Sequence, residues 1–184
     1  MRIRDAHDHD AWHDFVALYA PLIHAYGMRR GLQDADAADV AQQVLQSIAQ
    51  AMPGFEYDPT KGSFRGWLFT TTRNAIYKSY EKQRRVPTAT GDTTFHVRLA
   101  EEPASEEVEA WNQEHQRRLV QWAADKTRAD FREQTWKAFQ ATAIEGRPAA
   151  EVAAELAMSV GALYIAKSRV TAAIRAIIEA AEWE

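Results

Sequence analysis

Residues 149–178 read AAEVAAELAMSVGALYIAKSRVTAAIRAII. Val152, Ala153 and Leu156 recur at helical spacing over a short run, Ala149 to Leu156. Gly146-Arg147 breaks the chain ahead of it, and Pro148 stands in the first turn, where a missing backbone N–H costs nothing. Ala157-Met158-Ser159-Val160 supplies the turn. Ser159 then caps a longer helix with Leu163, Ile165, Val170, Ile174, Ile177 and Ile178 available for packing. A short helix, a tight turn and a longer helix make a helix-turn-helix. The second helix carries Lys167, Arg169 and Arg175 with no acid between Val160 and Ile178. Tyr164, Ser168 and Thr171 stand among these cations. Ammonium groups neutralise phosphate while hydroxyls and guanidinium reach base edges, so this helix is expected to dock in a DNA major groove.

Ahead of this segment, a helix near Asp130 to Ile144 carries Phe131, Trp136 and Phe139, and Ser105-Glu106-Glu107-Val108 gives a capping signal followed by Val108, Trp111, Leu119 and Trp122. Val86 to Ser105 holds Pro87, Gly91, Pro103 and several threonines with little apolar periodicity, and reads as a linker. The first half again reads as helical. Trp12, Phe15, Val16, Tyr19, Leu22, Ile23 and Tyr26 form one stripe from about Asp10 to Arg30, with Pro21 expected to kink it. Asp34 or Asp36 is expected to cap a helix with Val40, Val44, Leu45, Ile48 and Met52, stopped by Pro53-Gly54. Ser63 caps a third helix, with Trp67, Leu68, Thr71, Ala75, Ile76 and Tyr80 along it, ending at Arg85 before Pro87. No run alternates with period two. The expected fold is all-α, with two small helical domains, 8–86 and 112–184, joined by a flexible acidic linker, 87–111.

The 184 residues are 46% apolar and 26% charged, an ordinary globular composition. No stretch approaches the roughly 18 apolar residues of a membrane span, and Met1 to Asp8 is too polar for a signal peptide, so no membrane insertion and a cytoplasmic location are expected. Without cysteine there is no disulfide, thiolate metal site or thiol nucleophile. The net charge of -4 is a sum over unlike segments. Lys61, Arg65, Arg73, Lys78, Lys82, Arg84 and Arg85 face the single acid Glu81 over Lys61 to Arg85, whereas Asp92, Glu101, Glu102, Glu106, Glu107, Glu109 and Glu114 face only Arg98 over Asp92 to Glu114. The basic block is interleaved with Phe64, Trp67, Phe69, Tyr77 and Tyr80, the combination of backbone-tracking cations and base-receiving aromatic faces that single-stranded nucleic acid requires. Asn74, in the middle of the same helix, offers an amide to a base edge. No phosphate-binding glycine loop, serine elbow or carboxylate pair appears, so no enzyme activity, catalytic residue or cofactor is expected. His7, His9 and His13 with Asp8, Asp10 and Asp14 read as a solvated helix-capping segment rather than a metal site.

Asp36-Ala37-Ala38-Asp39-Val40-Ala41-Gln42-Gln43-Val44, then Gly62-Ser63-Phe64-Arg65-Gly66-Trp67-Leu68 with Arg73-Asn74, resemble the first conserved domain of bacterial sigma factors. Ala149 to Arg175, with Glu151-Val152-Ala153 before the turn and Ser159-Val160-Gly161-Ala162-Leu163 after it, resembles their last domain. In this order the motifs are similar to the extracytoplasmic-function subgroup of the sigma-70 family, its planctomycete-type members included. The resemblance implies a transcription initiation factor that binds core RNA polymerase, through its clamp helices and flap, and promoter DNA. Asp36, Asp39, Gln42 and Gln43 would grip the clamp helices. The loop from Gly54 to Lys61, with Trp67, Thr71 and Asn74, would capture a base flipped from the minus-ten element, and Lys78, Lys82, Arg84 and Arg85 would hold upstream phosphates. Tyr164, Lys167, Ser168, Arg169 and Arg175 would face the minus-thirty-five element, with Tyr164 and Ile165 standing where many relatives have a basic residue and Ser. The connector would pass through the polymerase channels, and an anti-sigma factor is a further implied partner. The competing expectation is a stand-alone helix-turn-helix regulator independent of core polymerase, which leaves the first half without a task.

Overall fold

The computed structural model describes residues 2–5, 7–54, 63–85 and 103–181, and all regular structure among them is helical. After a short 3-10 turn, Arg2–Arg4, come α1 (His9–Arg29), α2 (Asp34–Ala51) with a 3-10 turn at Met52–Gly54, α3 (Phe64–Arg85), α4 (Ser105–Arg128), α5 (Glu133–Phe139) continued by one π turn at Gln140–Ile144, α6 (Ala149–Glu155) and α7 (Val160–Ala181). The chain divides into two compact units, one running through Arg118 and the other from Leu119. Among the described residues no single helix is long and apolar enough to cross a membrane.

In the first unit α1, α2 and α3 form a bundle in which α2 packs on both neighbours. Asp8 caps α1, its side chain accepting from the Ala11 N–H at 3.0 Å. Pro21 lies on the exposed side of α1, which runs on through it. The expected Asp34 or Asp36 cap on α2 is not formed. Gln33 holds the cap position with extended backbone and no side-chain bond, and both acids fall in the first helical turn, where their charge favours the positive end of the helix dipole instead. At Gly27 the helices come so close that an added Cβ would lie 3.2 Å from the Ala37 Cβ. Ser63 caps α3, accepting from the Gly66 N–H at 3.1 Å. Ile3, Phe15, Leu18, Leu22, Ile23, Ile48, Met52, Phe64, Leu68 and Ile76 are among the fully buried large apolar side chains of this unit, each contributing about 1.5–3 kcal/mol of transfer free energy.

The division of the chain falls later than the expected 111/112 boundary, and the reason is α4. This helix starts at Ser105, inside the stretch expected to be linker, and its first half belongs to the first unit. Trp111 is 1% exposed and packs edge-on to Tyr26 and obliquely on Phe69, with ring centroids 5.3 and 5.4 Å away. One turn on, His115 stacks on Tyr19 at 5.6 Å, its Nε2 3.3 Å from the phenol oxygen. One turn back, Glu107 accepts from the Tyr26 hydroxyl and pairs with Arg30 at 3.5 Å. Residues 86–102, the greater part of the expected linker, lie outside the described residues.

In the second unit α5 and α6 pack on α7. One cluster joins Ala138, Ala141, Val152, Ala153, Leu163 and Ala166; another joins Ala123, Trp136, Phe139, Val170 and Ile174. Gly146, at a φ of +67°, makes the turn into α6, a conformation side chains rarely adopt. Pro148 sits one position earlier than expected, at the cap of α6. The chain then turns through Ala157, at a φ of +51°, while Met158 N–H donates back to the Ala153 carbonyl at 2.8 Å. Ser159 opens α7, accepting from the Ala162 N–H at 3.1 Å. The axes of α6 and α7 differ by 101°, the crossing of a helix-turn-helix. Ile165, expected in the core, is instead 62% exposed: it lies two residues from Leu163 and five from Val170, off the helical phase of the buried positions.

Candidate nucleic-acid interface

Along α3 the side chains separate by helical phase. Phe69, Thr72 and Ile76 are buried on one side, and on the other Trp67, Thr71, Asn74, Lys78 and Lys82 follow one another at spacings of three and four, so they form a single stripe. Trp67 and Thr71 are half-buried; Asn74, Lys78 and Lys82 are exposed. Three successive threonines turn their hydroxyls back on the helix: Thr70 donates to the Gly66 carbonyl, Thr71 to Trp67 and Thr72 to Leu68, at 2.8–3.0 Å. With its proton committed to the backbone, Thr71 presents an acceptor and a methyl to anything lying on the stripe, while Asn74 next along offers both a donor and an acceptor. Arg84 and Arg85 are the last two residues of the helix. Lys61 and the base-capturing loop expected around it lie outside the described residues.

This stripe rests on a polar and aromatic scaffold. The Tyr80 hydroxyl donates to the Arg30 carbonyl at 2.9 Å, tying α3 to the end of α1, and burial pushes that phenol above its ordinary pKa, so it remains a donor. Tyr26 is pushed up further, by burial first and by the Glu107 carboxylate second, and so stays protonated to donate to that carboxylate. The Arg30 and Arg73 charges act on Tyr26 in the opposite sense, and Arg73 is half-buried, unlike the exposed Lys78 and Lys82.

On α2, Asp36, Asp39 and Gln43 share an outward line, Asp36 half-buried and the others exposed. Gln42 sits on the flank of that line, where it joins Ala38, Leu45, Gln46 and Ala49 in walling an open apolar groove whose other side is Trp12, Val16 and Ala20 of α1. His24 reaches Asp34 at 3.1 Å across the same pair of helices. The four expected core-binding residues therefore lie on one helix but on two adjoining surfaces, a polar ridge and the lip of a groove. Among the described residues no three His, Cys, Asp or Glu side chains gather as a metal site.

In the second unit, Leu163, Ala166, Val170 and Ile174 bury one side of α7, and Gly161, Tyr164, Ile165, Ser168, Ala172 and Arg175 line the opposite, exposed side. Lys167 is half-buried at one border of that face. Arg169 is at the other border, its guanidinium 5.9 Å from the centre of the Phe131 ring, a cation–π contact that holds the charge at the edge of the face. Before the turn, Arg147 bridges Glu151 and Glu155 of α6 at 2.7 and 2.5 Å, and the two carboxylates hold its pKa above the usual guanidinium range.

Three contributions escaped sequence reasoning. The Tyr26–Arg30–Glu107–Trp111 scaffold under α3 joins residues some eighty positions apart, beyond any local pattern. The ring under Arg169 comes from the connection before α5. The exposure of Ile165 was available from strict helical phase.

Residues 15–86 match the family described as sigma-70 region 2. The chain is also 30% identical over 83 residues to the ECF RNA polymerase sigma factor RpoE of Cereibacter sphaeroides, an alignment taking in 45% of each protein, so the match spans just under half the length of that curated relative.

Proposed function

We propose that this chain, whose residues 15–86 match sigma-70 region 2, is a sigma-70 family factor of the extracytoplasmic-function group that binds core RNA polymerase, directs it to promoters and helps open the DNA there, without chemistry of its own. The observation that carries this is the coincidence of the region 2 match, residues 15–86, with the bundle whose α3 bears the Trp67–Lys82 stripe. The polar ridge Asp36–Asp39–Gln43, with Gln42 beside it, takes the core enzyme. Promoter melting then needs a trap for unstacked bases, since extrusion costs a few kcal/mol that binding must return. Trp67 offers a face for stacking, Thr71 an acceptor, and Asn74 a donor and acceptor for a base edge. Lys78 and Lys82, one and two turns further on, neutralise phosphates of the adjoining duplex, with Arg84 and Arg85 at the helix end and Lys61 ahead of the helix in the same role. The second unit supplies a separate duplex contact through Tyr164, Lys167, Ser168, Arg169 and Arg175. Arg169, held over Phe131 at the border of the exposed face, suits a phosphate.

Run-off transcription with purified core RNA polymerase on genomic promoter fragments tests this directly. Initiation that depends on the added chain and starts at defined sites is expected. Absence of both core binding and initiation refutes it.

A further inference from the structure

We propose that α7 reads thymine C5-methyl groups through Ile165, with Tyr164 as the apolar wall beside it, so that the upstream promoter element carries A·T pairs where these side chains meet it. This rests on the reading of α7 as the helix that contacts upstream duplex.

Among the described residues seven large apolar side chains are prominently exposed, and three of them, Val160 at 42%, Tyr164 at 57% and Ile165 at 62%, fall within six consecutive positions of α7. All three lie in its first two turns, the part of a recognition helix that meets base edges. Ile165 is central on the outward face, with Gly161 one turn before it and Ser168 about one turn after. An isoleucine there can make no hydrogen bond. The one base feature in the major groove matched to such a group is the thymine methyl. Charge separates DNA from a protein partner for this patch: Lys167, Arg169 and Arg175 accompany it, and the sole acid of α7 is Glu179, near the far end. Cations beside a small apolar centre match a groove walled by phosphates. Gly161 agrees with this. A Cβ added there would meet nothing closer than the Ser159 Oγ at 4.0 Å, so the protein's own packing does not require glycine, and its absence of a side chain leaves the first turn thin where backbone and base edges approach.

The test uses holoenzyme assembled from the full chain and core RNA polymerase, on a promoter fragment recovered by selection from a randomised upstream library. Each upstream thymine is replaced in turn by deoxyuridine, which removes only the methyl. At one or two positions affinity is expected to fall about fourfold, the factor for one methyl-sized burial. Ile165→Ala is expected to bind the unmodified fragment about fourfold more weakly and to ignore the replacement. Wild-type indifference to deoxyuridine throughout, with binding still lost when the upstream element is scrambled, overturns methyl reading but leaves upstream recognition standing. Indifference to scrambling overturns both. Weakened binding of Ile165→Ala to core polymerase without DNA makes the patch a protein-docking surface and also overturns the proposal. The deoxyuridine arm uses unaltered protein, so it decides the matter independently of how the variant folds.

Discussion

Replacing Trp111 by alanine should loosen the first half of α4 from the unit that carries the α3 stripe. The side chain is 1% exposed and its ring touches those of Tyr26 and Phe69. Truncating a buried aromatic to alanine costs about 3–5 kcal/mol through lost transfer energy and the residual cavity. The lower end of that range is expected here, because among the described residues the indole Nε1 finds no acceptor, and removing a stranded donor returns about 1–3 kcal/mol of desolvation penalty. A loss of about 3 kcal/mol is a large share of the ~5–15 kcal/mol that stabilises a domain. Trp111→Phe keeps most of the ring contact and removes the same stranded N–H, so it should stay within about 1.5 kcal/mol of wild type. Urea denaturation gives the stabilities, and hydrogen exchange across residues 105–118 reports whether the segment has come away. An alanine variant within about 1 kcal/mol of wild type, a threshold far below the usual cost of such a cavity, and with unchanged exchange over 105–118, would refute the view that Trp111 anchors α4.

Asn74→Ala should slow open-complex formation, followed by permanganate reactivity of unpaired thymines, while leaving affinity for core polymerase and thermal stability unchanged, since the residue is exposed; an equal loss of core binding contradicts its assignment to the base trap. Ser159→Ala removes the side-chain acceptor at the start of α7 and should cost about 1 kcal/mol by thermal melting, with no loss expected if the Ala162 N–H is satisfied otherwise. Glu114 is held below the usual carboxyl pKa of 4.5, first by the hydrogen bond from Arg117 and also by Arg118, against the opposing effect of burial. A depressed folded-state pKa stabilises the fold above the unfolded-state value and the gain disappears as pH falls through the folded one, so Glu114→Gln should destabilise at pH 7 and converge with wild type well below pH 4.5. A difference independent of pH would exclude ionisation as the source.

The parts of this fold legible in sequence are those governed by local chemistry. Ser63 and Ser159 cap their helices because a hydroxyl there meets N–H groups within three residues, and the Gly146–Pro148 break marks the start of α6 for equally local reasons. Trp67, Thr71 and Asn74 were grouped through the family resemblance, and helical spacing sets them in one stripe with Lys78 and Lys82. Misreadings arose where tertiary packing outweighed local pattern. Two acids near the start of α2 looked like caps, but capping depends on the extended backbone that Gln33 adopts, and one residue decides between a cap and a dipole contact. Residues up to 111 were counted with the acidic connector, yet Glu107 lies within reach of Tyr26 and Arg30 and Trp111 is inside the core, because Tyr26 and Arg30 come from a helix some eighty residues earlier. Ile165 was assigned to the interior by its chemistry alone, although its phase on α7 sets it opposite Leu163 and Val170.

The placement of Trp111 also bears on how such a protein can be recombined. A chimera joined in the acidic stretch before Ser105, the natural seam by composition, would bring a foreign residue to the slot between Tyr26 and Phe69 along with the new second half. One joined at Arg118/Leu119, in mid-helix, would keep the native indole in its slot. Inherited modularity in this chain is therefore expected to follow the side chains of α4 rather than the loops, and exchanges that ignore it should yield a first unit with a hole where the ring against Tyr26 and Phe69 belongs.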